Sequence, residues 1–161
     1  QEATLMTVSK LLLDQRNQKL LAALVKNPRA PVSALARRVG LSAPATRERL
    51  LRLEEVGVIR GWRLELDPGA LGFPIAILVR VRPMPGQLQK IAKLAQSIPQ
   101  VTECQRITGE DCFLIRMHLR SLDELDGLLD RFLAYGQTTT SIVQSSPVPR
   151  RSLPLPGIER P

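Results

Sequence analysis

Aromatic side chains are scarce in this chain, with three Phe, one Tyr and one Trp among 161 residues. Histidine occurs once, at His118, and cysteine twice, at Cys104 and Cys112. With no second His or Cys at ligand spacing, no metal site is predicted. Two cysteines make no disulfide framework. Flanking a turn at 109–111 on neighbouring strands, they lie beyond the roughly 7 Å Cα separation that a bridge tolerates, so both are expected as reduced thiols. No apolar run approaches the roughly 18–20 residues that span a bilayer, and the N-terminus shows neither an apolar signal core nor a cleavage site. The expectation is a cytoplasmic protein with no membrane partner. No phosphate-binding glycine loop, Ser-His-Asp set or paired carboxylates stand out, so no catalytic residue, enzyme activity or cofactor is predicted.

What the chain does have is positive charge, unevenly placed. The net charge is +8, from 23 Lys and Arg against 15 Asp and Glu. Residues 1–66 hold 12 basic and 6 acidic side chains, whereas residues 67–161 hold 11 and 9. That asymmetry points the N-terminal part at a polyanion. Hydrophobic residues make up 43%, enough for a core in one ordinary domain or two small ones.

Residues 1–13 show no clear period and read as a flexible lead-in or short helix. From Asp14, Leu20, Leu21, Leu24 and Val25 recur at helical spacing until Asn27-Pro28. A second helix follows Pro31, with Leu35 and Val39 as its apolar pair and Gly40 as its stop. Ser42 is a good N-cap for a third, whose inward stripe is Thr46, Leu50 and Leu53. Gly57 ends that helix, and Val58-Ile59 open an extended segment through Trp62, Leu64 and Leu66. Three helices with a tight turn and then a β element spell a winged helix-turn-helix over 1–66. Asp67-Pro68-Gly69 reads as a turn that opens a short linker over 67–74.

Beyond Pro74 the period changes. Strands are expected at 75–82, 101–108 and 112–120, the last alternating Phe113, Ile115, Met117 and Leu119. A helix carries Leu88, Ile91, Leu94, Ala95 and Ile98. Ser121 to Glu124 read as a capping box opening a second helix with Leu125, Leu128, Leu129, Phe132 and Leu133. Gly136 ends it before a strand "TTTSIVQ". The order β-α-β-β-α-β over 75–145 is the ferredoxin-like plan, so the fold class is α+β. The tail over 146–161 carries Pro147, Pro149, Pro154, Pro156 and Pro161 and is expected to be extended, wrapping a partner subunit or running free.

The third helix carries the sharpest functional signal. It is expected to turn Pro44, Ala45, Glu48, Arg49 and Arg52 to solvent, with Arg47 at the edge of that arc. Arginine reads guanine through paired bonds, and small alanines allow close approach to thymine methyls. Ser42 and the free N–H groups beside it suit a phosphate, and Arg37, Arg38, Arg60 and Arg63 are placed to hold the backbone. The bland alternative is a solvated helix laced by Glu48–Arg52 at i, i+4. Trp62 is expected to pack rather than to stack on a base.

"ALARRVGLSAPATRERLLRLEEVGVIRGW" followed by "ELDPGALGFP" resembles the DNA-binding half of the leucine-responsive/asparagine regulator (Lrp/AsnC) family of transcription factors. "IPQVTECQRITGEDCFLIRM" with the later "TTTSIV" resembles that family's effector domain. The resemblance spans about residues 14–145 and implies a sequence-selective DNA-binding regulator responsive to an amino acid or similar metabolite. It also implies a homodimer formed through the effector sheets, assembling to tetramers or octamers, with the effector bound between subunits. By position, Thr108, Gly109, Glu110, Asp111, Thr138, Thr139 and Thr140 fall in the ligand-contacting region. An ammonium and a carboxylate are suited to an acidic side chain and a glycine turn. The alternative is a tight hairpin and ordinary strand threonines. Where the family usually opens its first helix with an aspartate pair, this chain has Asp14 and then Asn17. Two other functions fit the same plan: an architectural protein that wraps DNA with little selectivity, and a siroheme-decarboxylase-like enzyme. The latter relies on histidine-bearing motifs, and only His118 is present here.

Overall fold

A computed structural model describes residues 14–156, so the expected lead-in over 1–13 and the last five tail residues lie outside it. The chain divides into two compact units, one built from the segments up to Leu64 and from Val148 onward, the other from Glu65 to Pro147. Among the described residues no helix is long and apolar enough to cross a membrane.

The first unit is helical. Helix α1 spans Gln15–Lys26, α2 spans Val32–Val39 and α3 spans Ala43–Glu55. Asp14 caps α1 by accepting the Arg16 and Asn17 N–H groups. Gly40 ends α2 in the left-handed region at φ 66°, which lets the α3 cap Ser42 follow two residues later. Leu20, Leu35 and Leu53, one from each helix, are fully or almost fully buried and meet in one core. Each such leucine contributes about 1.5–3 kcal/mol relative to an exposed one.

The expected β element after α3 is not a paired strand. Residues 60–66 run without ladder partners, and Trp62, Leu64 and Leu66 are exposed. The Trp62 indole N–H donates to Glu54 of α3 at 3.1 Å, which is how this segment is tied to its helix. The tail also departs from expectation. Leu155 packs against the helical core, so the tail beyond Val148 belongs to the first unit.

The second unit holds strands β1 (Ile75–Pro83), β2 (Val101–Arg106), β3 (Phe113–Leu119) and β4 (Gly136–Ile142) with helices α4 (Leu88–Ser97) and α5 (Asp123–Leu133). The sheet order is β2-β3-β1-β4, all pairs antiparallel, as the ferredoxin-like plan requires. Alternation decides the two faces. Ile77, Val79, Val81, Phe113, Ile115, Met117 and Leu119 are buried with Ile91 and Phe132 of the helices. Leu78, Arg80, Leu114, Arg116 and His118 fall between them in register, on the face the helices leave open.

The Ser121–Glu124 capping box does not form. Leu122 occupies the cap position with α-helical angles and no side chain caps the helix, so Ser121 stands one residue too early. A cap residue needs an extended backbone to reach its N–H. Asp123, Glu124 and Asp126 still favour the first turn through the helix dipole.

Gly136 does more than stop α5. It faces Pro83 across the ladder, and a Cβ there would collide with the Arg82 carbonyl. Replacing Gly136 with Ala is therefore expected to destabilise this unit by about 1–3 kcal/mol, read as a lowered midpoint in denaturant titration of the full chain. An unchanged midpoint would show that the strand yields without cost.

Candidate nucleic-acid interface and effector loop

The face of α3 is set by its inward residues. Thr46 and Leu53 are buried and Leu50 half-buried, while Arg47, Glu48, Leu51 and Arg52 are exposed. Arg37 and Arg38 of α2, and Arg60 and Arg63 after α3, are exposed as well. Among the described ion pairs none joins Glu48 to Arg52, so the lacing that would neutralise this face is not made.

Arg49 is different. Its Nη1 donates to Asp14 Oδ2 at 2.8 Å and to Asn17 Oδ1 at 3.0 Å, and its side chain is only 30% exposed. The expectation that Arg49 faces solvent as a base reader is corrected here. At about 100° per residue, Arg49 lies three positions past Thr46, roughly 60° from the buried stripe, which turns it to α1.

The entrance of α3 is also narrower as an anion site than expected. Pro44 has no N–H, the Ala45 N–H donates to Ser42 Oγ at 3.3 Å, and the Thr46 N–H donates to the Ser42 carbonyl. A phosphate there would meet at most the Ala43 amide and the Ser42 hydroxyl proton. Ala45 is half-buried beside them.

In the second unit the loop before β3 turns at Gly109, whose φ of 110° suits glycine. The two acids that follow are already engaged. Glu110 pairs with Arg82, and Asp111 approaches Arg80 Nε at 3.9 Å and Arg82 Nε at 3.7 Å. Val81 pairs with Phe113, which brings the arginines of β1 level with this loop. Thr108 is exposed at its entrance. The three threonines do not share a face. Thr138 and Thr140 stand opposite Val81 and Val79 on the helix side, whereas Thr139 stands opposite Arg80 on the open side. One small ligand cannot touch all three from one direction. A cleft of about 360 Å³ between α4 and β2, lined by Ala92, Gln96, Cys104 and Arg106 among others, contains none of these residues. Cys104 and Cys112 are both free thiols.

Two family models match: the AsnC-type helix-turn-helix domain over residues 13–54 and the Lrp/AsnC ligand binding domain over residues 76–153. The chain belongs to the Lrp/AsnC family. Its relatives include the transcriptional regulator LrpC of Bacillus subtilis, 29% identical over 133 residues that cover 83% of this chain and 92% of that one. The regulator LrpA of Mycobacterium tuberculosis is 32% identical over 120 residues, 74% of this chain and 80% of that one. Among solved structures, that of B. subtilis LrpC superposes with a TM-score of 0.77 at 28% identity, over 83% of this chain and 96% of the other. A Neisseria meningitidis regulator in complex with L-methionine gives 0.80 at 25% identity, over 89% and 97%. The chain is thus a DNA-binding regulator of the kind its relatives are named for.

Within this Lrp/AsnC chain, the sequence marks Asp14 and Asn17 only as the opening of the first helix; that both accept from Arg49 is what sequence reasoning missed. Asn17 is fully buried, and only its side-chain carbonyl and the Asp14 carboxylate explain how Arg49 is satisfied. The available signal was a cap acid with an amide three residues later, opposite an arginine beside the buried stripe.

The Arg49 hydrogen bond, more than the N-cap bonds from Asn17 and Arg16, holds the Asp14 carboxyl below the usual carboxylate range, while partial burial opposes it. A depressed folded-state pKa stabilises above the unfolded value near 3.9 and loses that contribution as pH falls through the folded value. Replacing Asp14 with Ala is expected to cost about 1–2 kcal/mol at neutral pH, most of it the cap. The gap from wild type should shrink below about pH 4. Thermal melts across pH 2–7 measure both; a gap independent of pH would remove the carboxylate from the explanation.

Proposed function

We propose that this regulator reads duplex DNA with α3, holds the backbone with Arg37, Arg38, Arg60 and Arg63, and answers to an amino acid or similar metabolite at the 108–111 loop. The observation that carries the reading is the unneutralised cationic face: Arg47 and Arg52 on α3 and the arginine pair of α2 are exposed, with no described ion pair to an acid. Ser42, Ala45 and Glu48 complete the contact surface at the start of the helix. Arg52 replaces Arg49 as the residue expected to reach a base edge, because Arg49 is held by α1.

The effector reading rests on a loop in which a glycine turn, two carboxylates and two guanidinium groups meet. A zwitterion finds complements for both its charges there, with Asp111 or Glu110 taking the ammonium and the arginines the carboxylate. An L-methionine complex of a structural relative supports that class of ligand. Arg80 and Thr139 stand on the sheet face that the helices leave open, which supports a site completed by a second subunit across that face. The exposed apolar side chains of Trp62, Leu64 and Leu66 also favour a dimer or larger assembly. This reading assigns no catalysis and no cofactor.

Footprinting should show protection repeating about every helical turn, ~34–36 Å, from two recognition helices of a dimer. Arg52→Ala should cost about 1–3 kcal/mol at one base position. Competition between the footprinted sequence and random duplex separates the alternatives: a ratio near one indicates architectural wrapping instead. A thermal-shift screen of the twenty amino acids tests the effector. A site filled to a hundred times its Kd stabilises by about 2.7 kcal/mol, and Asp111→Asn should abolish the shift. A shift retained in that variant would place the ligand elsewhere.

A further inference from the structure

The charge division sharpens once the tail is counted with the unit it packs in. The segments up to residue 64 and from 148 onward hold 15 basic and 6 acidic side chains, a balance of +9, while residues 65–147 hold 8 and 9, a balance of −1. All of the net positive charge of the protein therefore sits on the helical unit, and the tail supplies part of it.

Tail position is set by one apolar anchor. Leu155 is half-buried against the helical core, while Val148 and Leu153 stay exposed, so the segment lies along the surface and is pinned near its end. Arg150 and Arg151 precede that anchor by five and four residues, which keeps Arg151 within about 14 Å of it. Pro149, Pro154 and Pro156 restrict the backbone, so less entropy is lost when the segment is held extended. Both arginines are exposed. Unlike Arg49, Arg80 and Arg82, neither is paired with an acid among the described residues.

We propose that the tail is a second DNA-backbone contact of the helical unit, an arm pinned at Leu155 that lays Arg150 and Arg151 on duplex phosphates. The inference rests on the DNA-binding reading above and extends it to a segment outside the helix-turn-helix. The arm carries no base-reading geometry of its own, so its contribution is independent of sequence and sensitive to salt.

The test is fluorescence anisotropy of the full-length protein with a labelled 60-bp duplex of mixed sequence, titrated between about 50 and 200 mM salt. The double variant Arg150→Ala/Arg151→Ala is expected to flatten the plot of log K against log salt by about two per subunit and to bind at least roughly tenfold more weakly at 0.1 M salt. Leu155→Ser keeps both charges but frees the arm, and should also flatten the slope, with a circular-dichroism melt showing that the helices stay folded. A double variant with the wild-type slope overturns the arm. A Leu155→Ser variant that is folded and keeps that slope overturns the pin, and with it the proposal. Wild-type protein whose binding ignores salt would instead refute the DNA-binding reading itself, so the two failures are separable.

Discussion

One guanidinium shared between two helices governs the attitude of α3. Arg49 leaves α3 and bonds to the cap acid and a buried amide of α1, so the two helices are joined by a charged, directional link as well as by leucine packing. An apolar contact alone permits helices to roll by small angles, because many side-chain arrangements fill the same space. A link to two acceptors on one neighbour removes that freedom. The exposed arginines of α3 then leave the helix at a fixed angle, which is what the proposed reading of a groove requires.

The same economy runs through the second unit. Its sheet buries one face under two helices and leaves the other carrying leucine, arginine and histidine. Arg80 and Arg82 rise from that open face and engage the acids of the 108–111 loop. Both signs of charge therefore stand ready beside a glycine turn, without the cost of burying either one alone. Under the proposed reading, an effector that brings an ammonium and a carboxylate exchanges partners at this loop rather than creating new ones.

Much of this was legible in residue order. The Ser42 cap, the Gly40 stop and the apolar stripes of the three helices, Val25 excepted, appear where local rules put them, because a cap or a helical period involves residues within a few positions of each other. The alternation of Phe113 to Leu119 likewise declared a half-buried strand. The failures share a cause. The segment after Val58 has strand-like composition but finds no ladder within the chain, and Ser121 has a capping sequence but the wrong backbone angles. Composition supplies the side chain; geometry decides whether it can reach.

By itself the sequence determined the helices and the four paired strands, their order, the family and the place of the excess charge, since each follows from spacing along the chain or from counting. Only the tertiary structure decided which arginine is free and which is held, which threonine shares a face with Arg80, and where the tail lies. Those answers depend on residues tens of positions apart arriving within a few ångströms of one another, and no local period encodes that meeting.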